Sequence, residues 1–334
     1  MAVIATPVTI VTGFLGSGKT TLINRILKAH HGVRYAVIEN EYGEAAVDAE
    51  LLVRSGNETI VVLDNGCLCC TVRGDLAKAL GKLSERKAAG EIAYDWVLIE
   101  TTGLADPGPV IQTFLAETAL LTQFYLDGVV TLVDAVHLAA QSERLEVRAQ
   151  IAYADRILLT KIDLVDTGQR EAARERIQRM NPQAVVRELA VNDQDLAALS
   201  TELFEIRGYQ FDRVRFAPAA PRDFSMSAPR HTTDIVSFAY RSEQPLDRER
   251  LQAFFDAAQA RYSSDLWRYK GVLNIDKVHQ RVVIQGVQGL LQQNYGGNWR
   301  PFEKRENLLV FIGRALDGES LLQQLRDCEL RTHA

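Results

Sequence analysis

Lys19 closes the run Gly13-Phe14-Leu15-Gly16-Ser17-Gly18-Lys19-Thr20, which fits the spacing G-x-x-x-x-G-K-[ST] and follows the strand-like segment Pro7-Val8-Thr9-Ile10-Val11-Thr12. Each residue type in that spacing has a task in holding a triphosphate. Gly13, Gly16 and Gly18 let the backbone turn without Cβ clashes, so that its N–H groups, that of Ser17 among them, face the phosphates. Lys19 reaches the β- and γ-phosphates, and the Thr20 hydroxyl is a ligand for Mg²⁺. Thr21 opens the apolar helical stretch that follows, whose positive dipole end adds to the cradle. A chance glycine-rich turn would not need the full pattern between a strand and a helix. The chemistry implied is the binding and cleavage of a nucleoside triphosphate.

Further along, Leu98-Ile99-Glu100-Thr101-Thr102-Gly103 places an acid at the end of a strand and a glycine three positions on. Glu100 there can orient a Mg²⁺-bound water, and the Gly103 N–H can report on the γ-phosphate. Leu159-Thr160-Lys161-Ile162-Asp163 is close to the N-K-x-D pattern that reads guanine. The Asp163 carboxylate can accept from guanine N1–H and the exocyclic amine, hydrogen bonds that adenine does not offer. Lys161 would lay its alkyl stem along the base. Thr160 stands where Asn is usual, which leaves one supporting hydrogen bond open. GTP with Mg²⁺ is the expected substrate pair.

Of the four cysteines, Cys67, Cys69 and Cys70 crowd into Asn65-Gly66-Cys67-Leu68-Cys69-Cys70-Thr71, and Cys328 stands apart. This is no disulfide framework. A helix beginning near Thr71 would lower the thiol pKa values and favour thiolates, which bind metal. Glu39 or Glu44, in Glu39-Asn40-Glu41-Tyr42-Gly43-Glu44 after the second strand, can complete a mixed sulfur and oxygen site suited to Zn²⁺, or to Co²⁺ or Ni²⁺. Two other readings compete: three small buried core residues, or a redox pair, which adjacent and C-x-C cysteines form only in small strained rings.

The elements that must position these groups follow from periodicity. Strands are expected at Val8–Thr12, Tyr35–Ile38, Thr59–Leu63, Trp96–Glu100, Gly128–Val133, Arg156–Thr160 and Ala184–Arg187. Helices are expected around 18–30, 71–88, 108–120, 144–152, 168–180 and 194–204. Continuous apolar strands joined by helices imply an α/β fold, a P-loop NTPase with a mostly parallel sheet, and ligands at the carboxyl ends of its strands. The proline-bearing stretch 206–232 reads as a linker between a nucleotide domain at 1–205 and a smaller α+β domain at 233–334. In the latter, strands are expected at Asp234–Tyr240, Arg268–Ile275, Arg281–Val287 and Leu308–Ile312, with helices at Leu246–Ala260 and Ser320–Cys328.

The 334 residues, 47% hydrophobic and 24% charged, are those of a globular chain of about two domains. A net charge of −5 gives no electrostatic reason for nucleic acid or an anionic membrane as partner. No uncharged apolar run reaches the ~18 residues of a membrane span. The first apolar stretch, without a basic leader and broken by Pro7, reads as a strand rather than a signal peptide, so the expected location is cytoplasmic.

The order of motifs, a phosphate loop, E-N-E-[FY]-G-E, N-G-C-x-C-C, E-x-T-G-x-A-D-P-x-P and T-K-x-D, resembles the CobW-type metal-handling GTPases, in their YjiA-like branch. Trp267-Arg268-Tyr269-Lys270-Gly271 and Gln285-Gly286-Val287 match the second domain of that family. The resemblance implies a slow GTPase that carries Zn²⁺ or a related ion on Glu39, Glu44, Cys67, Cys69 and Cys70 and delivers it to a client metalloprotein. It leaves the client, the metal and homo-oligomer formation open. Many relatives carry a His-rich stretch; here the six histidines are scattered, with only His30 and His31 adjacent, which argues against bulk metal storage. Competing functions are a small-molecule kinase or ligase, disfavoured by the guanine motif, and a nucleotide-dependent interaction module with negligible turnover.

Overall fold

The computed structural model describes residues 5–28, 32–40, 58–63, 72–116, 122–189, 200, 203–209 and 235–330. The chain forms two compact units, one made of Met1–Gln178 with Ala184–Gln210, the other built mainly of Phe211–Ala334.

In the first unit, strands β1 (Thr6–Gly13), β2 (Tyr35–Asn40), β3 (Glu58–Leu63), β4 (Trp96–Glu100), β5 (Phe124–Asp134), β6 (Arg156–Thr160) and β7 (Val185–Leu189) form one parallel sheet in the order β3-β2-β4-β1-β5-β6-β7. Helices α1 (Lys19–Lys28), α2 (Val72–Ala88), α3 (Gly108–Ala116), α4 (Leu138–Gln141), α5 (Leu145–Tyr153) and α6 (Thr167–Met180) lie between the strands. Central strands carry β-branched residues on both faces because both are covered: Val8, Ile10 and Val11 of β1 are all buried. α1 turns Leu22, Ile23 and Ile26 onto the sheet and keeps Arg25 and Lys28 in its last turn, where they suit the dipole. Its first turn holds no acid, so the positive end is left for a ligand.

The end of this unit is fixed by aromatic and polar contacts together. Phe204 packs on Tyr35 and Trp96, with ring centroids 5.9 and 5.7 Å away. The fully buried Asp127 carboxylate accepts from the N–H groups of Ile206 (3.0 Å) and Arg207 (2.8 Å). Burial pushes its pKa up to about 6.

The second unit holds strands β8 (Ile235–Ser242), β9 (Leu266–Leu273), β10 (Gln280–Val287), β11 (Leu290–Asn298) and β12 (Asn307–Arg314) in an antiparallel sheet of order β11-β10-β9-β12-β8. Helices α7 (Arg248–Tyr262) and α8 (Gly318–Asp327) are capped by Asp247 and Asp317, whose side chains accept from Arg250 N and Ser320 N. Tyr269, Phe311, Phe254 and Phe255 form the aromatic centre of this core. At Gly286 an added Cβ would enter the Tyr269 ring, so only glycine fits there. Strand β11 and helix α4 go beyond the sequence expectation. The polar run Gln292-Gln293-Asn294-Tyr295-Gly296-Gly297 of β11 shows no alternation because it is an edge strand. No helix among the described residues is long and apolar enough to cross a membrane.

Candidate nucleotide site

β1 ends at Gly13 in the middle of the sheet, between β4 and β5, and the loop up to Lys19 lies at the carboxyl ends of all three. Gly13, Gly16 and Gly18 have φ values of 144°, 74° and 99°, conformations that a Cβ makes costly. At Gly13 an added Cβ would also collide with the Leu132 carbonyl oxygen and come within 2.8 Å of Ser17 Oγ. Ser17 Oγ is buried with no hydrogen-bond partner in the structure. A buried polar atom left unmet in a glycine-built concavity is what an anion-binding loop presents. Lys19 Nζ donates to the Gly13 carbonyl at 2.8 Å and to that of Phe14 at 3.4 Å, which folds the ammonium over the loop. Burial lowers its pKa, and the charge of Glu100 acts in the opposite sense.

The next wall is the end of β4. Thr20 Oγ1 donates to Glu100 Oε1 at 2.8 Å, so the expected Mg²⁺ ligand and the acid expected to orient a Mg²⁺-bound water meet. Hard oxygen donors at a helix start beside a phosphate cradle fit that ion. Thr101 is tied to β1 twice, by its N–H to the Val11 carbonyl (3.0 Å) and by its hydroxyl to Thr12 Oγ1 (2.7 Å). Gly103 abuts the phosphate loop: a Cβ there would lie 2.7 Å from Leu15 N and 2.6 Å from its side chain. The close approach of Leu15 leaves room only for glycine there.

The base side is built by β5 and β6. Thr160 Oγ1 lies 3.0 Å from the Ser17 carbonyl and 3.3 Å from that of Val133, so the threonine in place of asparagine ties the base motif to the phosphate loop. Lys161 adopts a left-handed conformation, φ 57°, and its Nζ donates to Asp134 Oδ2 at 2.6 Å. Asp134 also meets His137 Nδ1 at 2.8 Å and accepts from Val136 N at 2.9 Å. Burial raises its pKa, but the hydrogen bonds from Lys161 and His137 outweigh that and hold the carboxyl below the usual range. Asp163 sits exposed in the short turn Ile162–Leu164 beside Lys161. Asp134 is absent from the sequence reading, although an acid closing β5 repeats the placement of Glu100 closing β4.

Thr160→Val keeps the shape and removes the hydroxyl. It is expected to weaken GTP and GDP binding alike, by about threefold to tenfold, the worth of about one hydrogen bond. Fluorescent-nucleotide titration measures it; unchanged affinities for both nucleotides would detach Thr160 from the site.

Of the metal candidates, Glu39 is described through its backbone, and Glu44, Cys67, Cys69 and Cys70 lie outside the described residues. Glu39 pairs in register with Glu100 of β4 and with Val62 of β3, and β3 ends at Leu63, shortly before the cysteines. Cys328 is a buried thiol of the second unit that donates to the Gln324 carbonyl, and burial pushes its pKa up to about 11.

Residues 7–188 match the family described as CobW/HypB/UreG, nucleotide-binding domain, and residues 235–329 match the cobalamin synthesis protein cobW C-terminal domain. The chain is 39% identical over 315 residues to the zinc chaperone YjiA of Escherichia coli, covering 94% of this chain and 96% of that protein. It is 30% identical over 336 residues to the zinc chaperone CobW of a Sinorhizobium species, covering 92% of each. A crystal structure of Zn(II)-bound YjiA GTPase from E. coli superimposes with a TM-score of 0.81 at 34% identity, over 98% of this chain and 100% of that one. With the phosphate loop, the Thr20–Glu100 pair and the β6 base motif in place on a parallel sheet, and both domains matched, the chain belongs to the CobW/HypB/UreG family of P-loop GTPases.

Proposed function

We propose that this protein is a GTP-driven zinc chaperone: it hydrolyses GTP at the β1–α1 loop, and the nucleotide state sets its affinity for a divalent ion carried by Glu39, Glu44, Cys67, Cys69 and Cys70 for delivery to a client metalloprotein. The observation that carries the reading is the register of β2. Glu39 is level with Glu100, whose carboxylate holds Thr20. The cysteine segment follows β3, whose last residue Leu63 pairs with Asn40, next to Glu39. Metal candidates and triphosphate machinery therefore begin one strand apart. The names of the relatives point the same way, to zinc and to a GTPase-linked client.

In this reading Lys19 neutralises charge on the γ-phosphate. Gly103 N–H senses that phosphate, Asp163 selects guanine, and Asp134 holds Lys161 against the base. The Thr20 hydroxyl would hold Mg²⁺, with Glu100 orienting a water on the ion, which would supply charge neutralisation for the phosphates. The two ligands are coupled reciprocally: if GTP raises the affinity for metal, metal raises the affinity for GTP by the same factor.

The test is Co²⁺ titration of metal-depleted protein with GDP or a non-hydrolysable GTP analogue. Thiolate ligation gives a sulfur-to-metal charge-transfer band and releases protons. Cys69→Ala is expected to weaken the band and the effect of metal on turnover together. If the Cys67/Cys69/Cys70 triple alanine variant bound Co²⁺ as tightly as the parent and with the same spectrum, the cysteines would carry no cargo.

A further inference from the structure

The γ-phosphate side of the site contains a buried side chain to which the motifs assign no task. Gln150, on α5, is 1% exposed, and its Nε2 donates two hydrogen bonds, to the Gly103 carbonyl and to the Ala105 carbonyl, each at 3.1 Å. Both acceptors belong to the turn between β4 and α3. These two bonds fix the 103–104 and 105–106 peptide planes, and the Ala105 N–H, donating to the Thr102 carbonyl at 3.1 Å, fixes the 102–103 plane that carries the Gly103 N–H, so that Gln150 braces the turn whose own hydrogen bond sets that direction.

Gln150 is itself fixed. Its backbone carbonyl accepts from Thr131 Oγ1 at 2.7 Å, which pins this turn of α5 to β5 immediately before Leu132, the residue against which Gly13 packs. At the start of α5, the Arg144 guanidinium lies over the Phe14 ring, 5.3 Å from its centroid. One short helix thus touches the phosphate loop at one end and, through Gln150, the Gly103 turn at the other. Leu15 of the phosphate loop also packs close to Gly103, where a Cβ would come within 2.7 Å of its N and 2.6 Å of its side chain. The turn therefore has Leu15 against it and Gln150 hydrogen-bonded to it.

We propose that Gln150 is a positioning residue of the GTPase reaction, which aims the Gly103 N–H at the γ-phosphate and makes α5 the element that joins γ-phosphate sensing to the phosphate loop. The assignment rests on the reading of Gly103 as the γ-phosphate contact. A residue that serves only the fold would affect GTP and GDP alike; one that positions the Gly103 turn acts only where a γ-phosphate exists.

The experiment compares Gln150→Leu, Gln150→Glu and Gly103→Ala in the full chain, measuring single-turnover GTP hydrolysis and affinities for GDP and a non-hydrolysable GTP analogue. Gln150→Leu is expected to lower the hydrolysis rate and the analogue affinity by about tenfold, the loss of about one to two buried hydrogen bonds, with GDP affinity unchanged. Gln150→Glu has the same shape but sets a carboxylate against two carbonyl oxygens, and is expected to lose more than the leucine variant. GDP-bound melting temperatures show whether each variant folds; where one melts early, the ratio of analogue to GDP affinity, measured below its melting transition, carries the comparison. Loss of hydrolysis in Gly103→Ala with parental rates in a folded Gln150 variant overturns the role of Gln150 and leaves the Gly103 reading standing. Parental hydrolysis in Gly103→Ala overturns both, and an equal fall in GDP and analogue affinity reduces Gln150 to a structural residue.

Discussion

Lys19→Ala is expected to cost GTP turnover a factor of about a hundred or more, the scale seen when one group aimed at transition-state charge is removed from a preorganised site. The ammonium is buried and hydrogen bonds to the Gly13 and Phe14 carbonyls, inside the loop that would hold the phosphates. Burial already lowers its pKa, so the charge is maintained at some cost to the fold. Removing it relieves that cost and takes away two loop hydrogen bonds, effects of opposite sign and similar size. The variant should therefore melt close to the parent while phosphate release, followed colorimetrically, falls to background. Parental turnover in a variant with an unchanged circular dichroism spectrum would remove the loop from the reaction.

The other large effect is a change of nucleotide. Asp163→Asn presents an amide donor where guanine also donates, and a polar mismatch in a binding site discriminates by factors of about 10³ or more. GTP affinity is expected to fall by roughly that factor. XTP, with an oxygen in place of the exocyclic amine, gains relative affinity because the amide has something to donate to. Asp163 is exposed on its turn, so stability should not change. Competition among GTP, ATP and XTP in parent and variant is the measurement, and equal GTP binding by both proteins would reassign the base-reading role to Asp134 and Lys161.

Those parts of the site that are set by chemistry at fixed spacing were legible in the chain. The glycines of the phosphate loop, Lys19 and Thr20 lie within eight consecutive residues, whereas the pairing of β1 with β4, which brings Thr20 to Glu100, is seen only in the structure. What was not legible depends on partners far away in sequence. Asp134 is defined by Lys161 and Gln150 by the Gly103 turn, and no local pattern announces either pairing. Thr160, which departs from the usual Asn of the base motif, places its hydroxyl 3.0 Å from the Ser17 carbonyl, a tie between two distant motifs that the residue type alone does not announce. In the second unit β11 was missed because an edge strand need not alternate, whereas β9, β10 and β12, covered on both sides by neighbours, follow the apolar pattern.

The place of β1 in the sheet bears on how the protein is made. It precedes both of its neighbours: Val8 pairs with Val97 of β4, while Thr6 and Gly13 pair with Phe124 and Leu132 of β5. The carboxylate that Glu100 offers Thr20 arrives with β4, but until β5 has left the ribosome the phosphate loop still lacks the wall that Leu132 gives Gly13. At about 5–20 residues per second, this leaves the loop unassembled for a time of order ten seconds. Contacts so distant in sequence also close slowly. A nascent chain that stops short of Leu132 should therefore capture no GTP, and the nucleotide enters as a late clamp on a nearly finished sheet rather than as a template for its assembly.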